Sequence, residues 1–218
     1  MIFKEWIKVR WFLVIFTLLA VLAIGYIFIM VQHDFTFREA KNYWYSVLFQ
    51  GFQYFRYLKY LPLAGGIALA VAQYFPETVS KRIKLTFHLP VNEDLGLLMM
   101  MFFGTVCLLL SFAILFLFFL CMSSFFFPPE ITRSAVISII PWFLAGFASY
   151  YMVALVILEP VWLYRFLYFI ATIAFVPLFL KTAVAGAYAP LNLILTVFVV
   201  LVSISLLFSG YRFRKGEM

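Results

Sequence analysis

Charge is what this sequence has least of: Asp, Glu, Lys and Arg make up 11% of its 218 residues, against 67% apolar. So little polar surface cannot cover a soluble core of that size. With a mean hydropathy of +1.08, long uncharged runs read instead as bilayer spans. Cysteine is nearly absent. Cys107 and Cys121 lie in one apolar run with no adjacent His or acid to activate them, so they read as buried, unreactive thiols and say little about redox compartment. Only two histidines occur, His33 and His88, and the topology derived below sets them on opposite sides, which argues against bis-histidine haem. The chain has no C-x-x-C or H-x-x-x-H pair for a metal and no G-x-x-x-x-G-K-[ST] loop for nucleotide phosphates. Met99-Met100-Met101 offers no copper site, because consecutive helical residues point in different directions. No fixed-period repeat or low-complexity linker divides the chain, so residues 1–218 read as a single transmembrane domain. These absences leave no enzyme site and no cofactor to expect.

What is present is a succession of apolar runs, each near the ~20 helical residues needed to cross the hydrocarbon. They predict spans at about 11–31, 60–75, 95–122, 135–158, 162–180 and 190–208. The run from Trp11 is too long for a signal-peptide core and lacks a small-residue cleavage pattern, so it is expected to stay as the first span. Pro128-Pro129, Gly186 and Pro190 break the longest stretches. The second run is short and is expected to extend backwards into the aromatic stretch before it. A five-span alternative makes it merely interfacial. The fold class expected is therefore an all-α integral membrane protein of about six transmembrane helices.

The net charge of +7 is scattered in short basic clusters between apolar runs, a topology signal rather than a nucleic-acid surface. With both termini inside, the inner segments hold Lys4, Lys8, Arg10, Lys81, Arg82, Lys84, Arg165, Arg212, Arg214 and Lys215. The outer segments hold Arg38, Lys41, Arg56, Lys59, Arg133 and Lys181, which completes the 16 basic residues. Ten against six agrees with the positive-inside rule. The first outer segment, His33 to Lys59, is nearly continuous aromatic from Tyr43-Trp44-Tyr45 to Tyr57. Tyr and Trp favour the membrane–water boundary, so an interfacial helix is expected there. It serves either to anchor the second span or as an outer gate or lipid-contact surface.

Buried acids would point to an ion pathway, but Glu77, Glu93, Asp94, Glu130 and Glu159 all fall at or near span ends. Gln73, Ser111, Ser149 and Asn192 remain inside as mild groups suited to interhelical hydrogen bonds. The most informative stretch is residues 75–94, FPETVSKRIKLTFHLPVNED. Pro76 can open a helix, with Glu77 near its positive end. Val79, Ile83 and Phe87 recur at i, i+4 and i+8, while Lys81, Arg82 and Lys84 point elsewhere. The product is a short basic amphipathic helix stopped before Pro90, or a plain surface helix at the headgroups.

This segment resembles the cytoplasmic loop of ABC transporter permeases of the type-2 export class. There, an acid closes the second span, a basic amphipathic helix follows, and a Leu-Pro-Val-like turn opens the third. Glu77, Lys81-Arg82, Leu85 and Leu89-Pro90-Val91 stand at the matching positions. Lys4 to Arg10 resembles the family's N-terminal interfacial helix, and the expected topology extends the likeness over most of the chain.

The resemblance implies a coupling helix built on Glu77, Lys81, Arg82, Ile83, Leu85, Phe87, Leu89 and Pro90. It would dock on a separate ABC ATPase subunit, with this chain paired to itself or to a similar permease in a bacterial inner (plasma) membrane. Two departures matter: the chain leaves no room for a large extracellular domain, and the outer helices before the last span shrink to roughly 181–189. That compactness is closer to the permeases that assist cytochrome c haem delivery or nitrous-oxide reductase maturation. The competing expectation is a non-transporting membrane anchor or assembly subunit of an envelope or redox complex. An intramembrane enzyme fits least, because no paired polar groups stand within the runs.

Overall fold

In hydrocarbon every backbone N–H and C=O must be satisfied within its own segment, so apolar runs of this length fold as helices. A computed structural model of the chain describes residues 2–38, 40–79, 93–181 and 187–215, and all regular structure among them is helical. In chain order the helices are α1 (Ile2–Arg38), α2 (Ala40–Phe49), α3 (Tyr60–Val79), α4 (Glu93–Phe126), α5 (Pro129–Leu158), α6 (Trp162–Phe175) and α7 (Asn192–Lys215). Short 3-10 turns occupy Arg56–Lys59, Val176–Leu180 and Ala189–Leu191.

Among the described residues, five stretches are long and apolar enough to cross a membrane: Phe3–Phe37, Leu95–Phe126, Pro129–Leu158, Trp162–Leu180 and Ala189–Leu206. The chain is a helical, multi-pass membrane protein. The predicted second span, α3, is not among the five. Its 20 residues include Gly65, Gly66, Gln73, Pro76 and Glu77, which dilute its hydropathy. It is nonetheless packed within the bundle. It packs along α5, α1 and α4. Tyr54 and Phe55, just before it, meet Phe28 and Phe119 at one end of the bundle, while Glu77 meets Lys8 at the other.

The bundle closes around α5. Trp142, Tyr150, Ala145, Ala148 and Ser149 on this helix are fully buried or nearly so. The α3–α5 seam is built from small residues. A Cβ added to Gly66 would collide with the Gly146 carbonyl oxygen and with Ser149 Oγ, so only glycine allows this approach. Ser149 Oγ then donates to Gly146 O at 2.9 Å and Leu63 O at 3.3 Å. The periphery is the inverse. α6 buries no residue, and Leu, Ile and Phe side chains stand exposed along α1, α6 and α7. That pattern suits contact with lipid tails.

Breaks between helices follow local chemistry. Pro128, extended at φ −64° and ψ 159°, caps α5, with Pro129 at its first turn and Glu130 near the positive end of the dipole. α5 stops at Glu159, held extended (φ −68°, ψ 121°) by the following Pro160. Arg165 donates from Nη2 to Glu159 O at 2.7 Å and from Nε at 3.2 Å, placing a cation at the helix C-terminus.

Three expectations need correction. The first helix reaches well beyond 11–31: α1 starts at Ile2, and Lys4 to Arg10 form its opening turns instead of a separate helix. Glu5 and Val9, one turn apart, are both buried and keep that face against the bundle. The aromatic outer segment is not one interfacial helix either. α1 runs through His33 to Arg38, α2 follows, and Gly51 at φ +68° turns the chain. Tyr43, Tyr54 and Phe55 are buried in the core, whereas Tyr45, Phe49 and Tyr57 are exposed. Finally, Cys107 is buried but Cys121 is exposed. The helices over two further predicted spans are longer than expected, 93–126 for 95–122 and 129–158 for 135–158, whereas 162–180 is divided between α6 and a 3-10 turn.

Candidate functional site

Of the eight residues expected to couple an ATPase, the structure describes Glu77 alone. Lys81, Arg82, Ile83, Leu85, Phe87, Leu89 and Pro90 lie outside the described residues. Glu77 stands in the last turn of α3, near the end of the predicted span, but Pro76 lies inside that helix instead of opening a new one, and Glu77 is buried. It is 1% exposed and sits in a network that joins four helices. Lys8 of α1 bonds Glu77 directly and Glu5 at 2.6 Å, while Lys4 reaches Glu77 at 3.0 Å. Two ammoniums thus face two carboxylates, and the cluster is electrically balanced. This is the condition under which charges tolerate burial.

Spacing explains the geometry. Glu5 and Lys8 stand three apart on α1, so both point to the face that meets α3. Gln73 stands four residues before Glu77 and so extends the network one turn deeper. Its Nε2 donates to Met100 O of α4 at 2.7 Å and to Glu5 Oε2 at 3.3 Å. Its Oε1 accepts from Tyr150 Oη of α5 at 2.8 Å, and Tyr150 in turn meets Tyr74 Oη at 3.1 Å. Gly104 makes room for this corner, since a Cβ there would strike Tyr150 Oη and Gln73 Oε1. Thr105 continues the α4–α5 contact through Tyr151 Oη at 2.8 Å.

Glu77 lies past the apolar run Tyr60–Phe75. Burial acts to raise its carboxyl, and the Lys8 and Lys4 ammoniums outweigh that effect, so the group sits below its ordinary range. Glu77 is therefore set up to stay ionised and paired. The cluster has the makings of a mechanical joint, since its bonds other than Lys8–Glu5 cross between helices. Among the described residues no group of three or more His, Cys, Asp or Glu could hold a metal ion.

Reasoning from sequence missed Glu5, Lys8 and Tyr150. An acid within an otherwise basic opening segment, four residues before Val9, was the available signal for Glu5. Gln73 was read as an interhelical hydrogen-bonder, and its bond to Met100 O is one. No protein-family model, no curated protein and no solved structure matches this chain. Function rests on the residues themselves.

Proposed function

We propose that this chain is the transmembrane permease subunit of an ATP-driven transporter of the type-2 export kind. In this reading it crosses the inner (plasma) membrane six times, α3 included, with both termini cytoplasmic. It pairs with itself or with a similar permease, and a separate ABC ATPase docks on residues 77–90.

One observation carries the reading. Segment 80–92 follows α3, which ends two residues after Glu77, and precedes α4, which begins at Glu93, seven residues before Met100. The network of Glu77, Lys8, Glu5, Gln73 and Tyr150 ties α1, α3, α4 and α5 together at that same point. A load applied to the segment by a closing ATPase would reach four helices through directed bonds instead of dissipating in one. Such a rearrangement of packed helices is an established way to switch a bundle. Ile83 or Phe87 would supply the apolar anchor, and Lys81 with Arg82 the basic contacts.

The test is purification in mild detergent with mass spectrometry of whatever co-purifies, followed by ATPase and transport assays. A P-loop ATPase is expected to co-purify. Phe87→Asp or Glu77→Lys should leave membrane insertion intact and uncouple hydrolysis from transport. Wild-type coupling in both variants, or a stable complex holding no ATPase, removes the proposal.

The second reading is a non-transporting anchor or assembly subunit. It is favoured by the α3–α5 seam, where Gly66 against Gly146 allows too close an approach for cargo to pass between those helices.

A further inference from the structure

At the end of the bundle away from the ion-pair network, α1 and residues 52–61 enclose a cleft of about 620 Å³. That volume falls within the ~300–1,000 Å³ typical of sites for small organic ligands. Its floor and its rim differ in chemistry. Along α1 the lining runs from Ala23 through Tyr26, Ile27 and Met30 to Asp34. The eleven residue-to-residue steps from Ala23 to Asp34 cover about 16 Å of helix. The Ala23–Met30 end, the floor, is mainly apolar, and Leu61 of α3 also lines the cleft. The other end, the rim, carries Asp34, Gln53 and Arg56.

Each rim group is suited to a ligand. The Arg56 guanidinium is pinned at the edge, donating from Nη2 to Tyr57 Oη at 2.8 Å and lying 4.9 Å from the Tyr57 ring centre. Its remaining donors fit phosphate. Among the described residues Gln53 Nε2 is a buried amide donor without a hydrogen-bond partner, so it needs an acceptor such as a phosphate or ester oxygen. Asp34 supplies the opposite charge. An apolar groove ending in one cation, one anion and one unmatched donor complements an amphiphile whose head carries both signs.

We propose that this cleft binds one phospholipid of the surrounding bilayer bearing an ammonium head. The acyl chain lies along Ala23–Met30, the phosphate sits on Arg56 and Gln53, and the ammonium on Asp34. This inference stands independently of the permease reading, because it concerns the opposite end of the bundle and requires no ATPase.

The test is native mass spectrometry of the full chain, delipidated and then titrated with phosphatidylethanolamine or with phosphatidylglycerol, which lacks the ammonium. The wild type should retain one phosphatidylethanolamine, with roughly tenfold preference over phosphatidylglycerol, the size of one charge-assisted hydrogen bond. Asp34→Asn should erase the preference while keeping phosphatidylglycerol binding. Arg56→Gln should weaken both lipids, and Ala23→Phe, which fills the floor, should remove the bound lipid. Size-exclusion elution at the wild-type position certifies that each variant is folded. No stoichiometric lipid on the wild type, equal affinity for the two lipids, or binding unchanged in folded Asp34→Asn and Ala23→Phe would each overturn the proposal.

Discussion

At one end of the bundle Lys8, Glu5, Glu77, Gln73 and Tyr150 meet through directed bonds. At the other, Phe28, Tyr54, Phe119 and Phe127 meet through ring faces and edges. The Tyr54 and Phe127 rings stack with centroids 4.4 Å apart, Phe28 lies 5.8 Å from Phe119, and Phe55 leans on Trp142 at 5.5 Å. An aromatic pair contributes about 0.5–1.5 kcal/mol beyond burial and accepts many geometries. A buried ion pair gains little over an apolar replacement, but it costs heavily when one partner is taken away. The first kind of contact tolerates exchange and sliding; the second fixes register. The bundle is therefore expected to be specified at its ionic end and cushioned at its aromatic end.

The contrast can be broken at its strongest point first. Glu77→Leu should destabilise the protein by about 3 kcal/mol, the low end for breaking a buried pair, because Glu5 still partners Lys8. Thermal unfolding in detergent reads the loss, and a double-mutant cycle with Lys8→Met should show coupling between the two positions, although Lys8→Met also strips Glu5 of its partner. Strict additivity of the two changes would show that the pair does not interact. The same contribution has a pH signature. With a folded-state value below the unfolded one, stability from Glu77 is complete above the ordinary glutamate range near ~4.3. It declines as pH falls through that range and is lost below the folded value. Wild type and Glu77→Leu should therefore converge in acid, and a difference that persists there would be steric.

Gly66→Ala comes next. The added methyl must move the Gly146 carbonyl, and overpacking of this kind costs about 1–3 kcal/mol. Phe119→Leu, at a fully buried ring, should cost less than about 1.5 kcal/mol, since apolar swaps of similar shape are accommodated. A loss equal to that of Glu77→Leu would mean the aromatic end is no cushion. Smallest is Tyr54→Phe. It removes the hydroxyl contact with Ser123 Oγ at 2.9 Å, and interhelical bonds of this type average about 0.6 kcal/mol in membrane proteins.

Most of this fold was legible from the residues. Long uncharged runs have few physical alternatives to helices, and Pro128-Pro129 and Glu159-Pro160 break them where steric rules say they must. α3 was harder to read for a reason inherent in its place. Gly65, Gly66 and Gln73 suit it to the interior of a bundle and lower the hydropathy by which spans are recognised. The candidate site was legible in one residue. Glu77 stood out because it precedes a basic amphipathic stretch, but its partner Lys8 lies 69 positions away. No periodicity spans that distance. Lys8 read as one of the inner basic charges and Glu5 went unread, because a terminal segment carries no local sign that another helix will cover it.

That same separation has a consequence for how the chain is made. At about 5–20 residues per second, the 69 residues between Lys8 and Glu77 take roughly 3–14 s to be synthesised. Throughout that interval the Lys8 ammonium lacks its final partner. Glu5, one turn away and 2.6 Å from Lys8 in the finished protein, is a counter-charge that travels with it. It holds the lysine neutralised until α3 emerges. In a Glu5→Gln chain the ammonium would wait alone, and ribosome-arrested intermediates stopped before residue 77 should integrate less efficiently than those of the wild type.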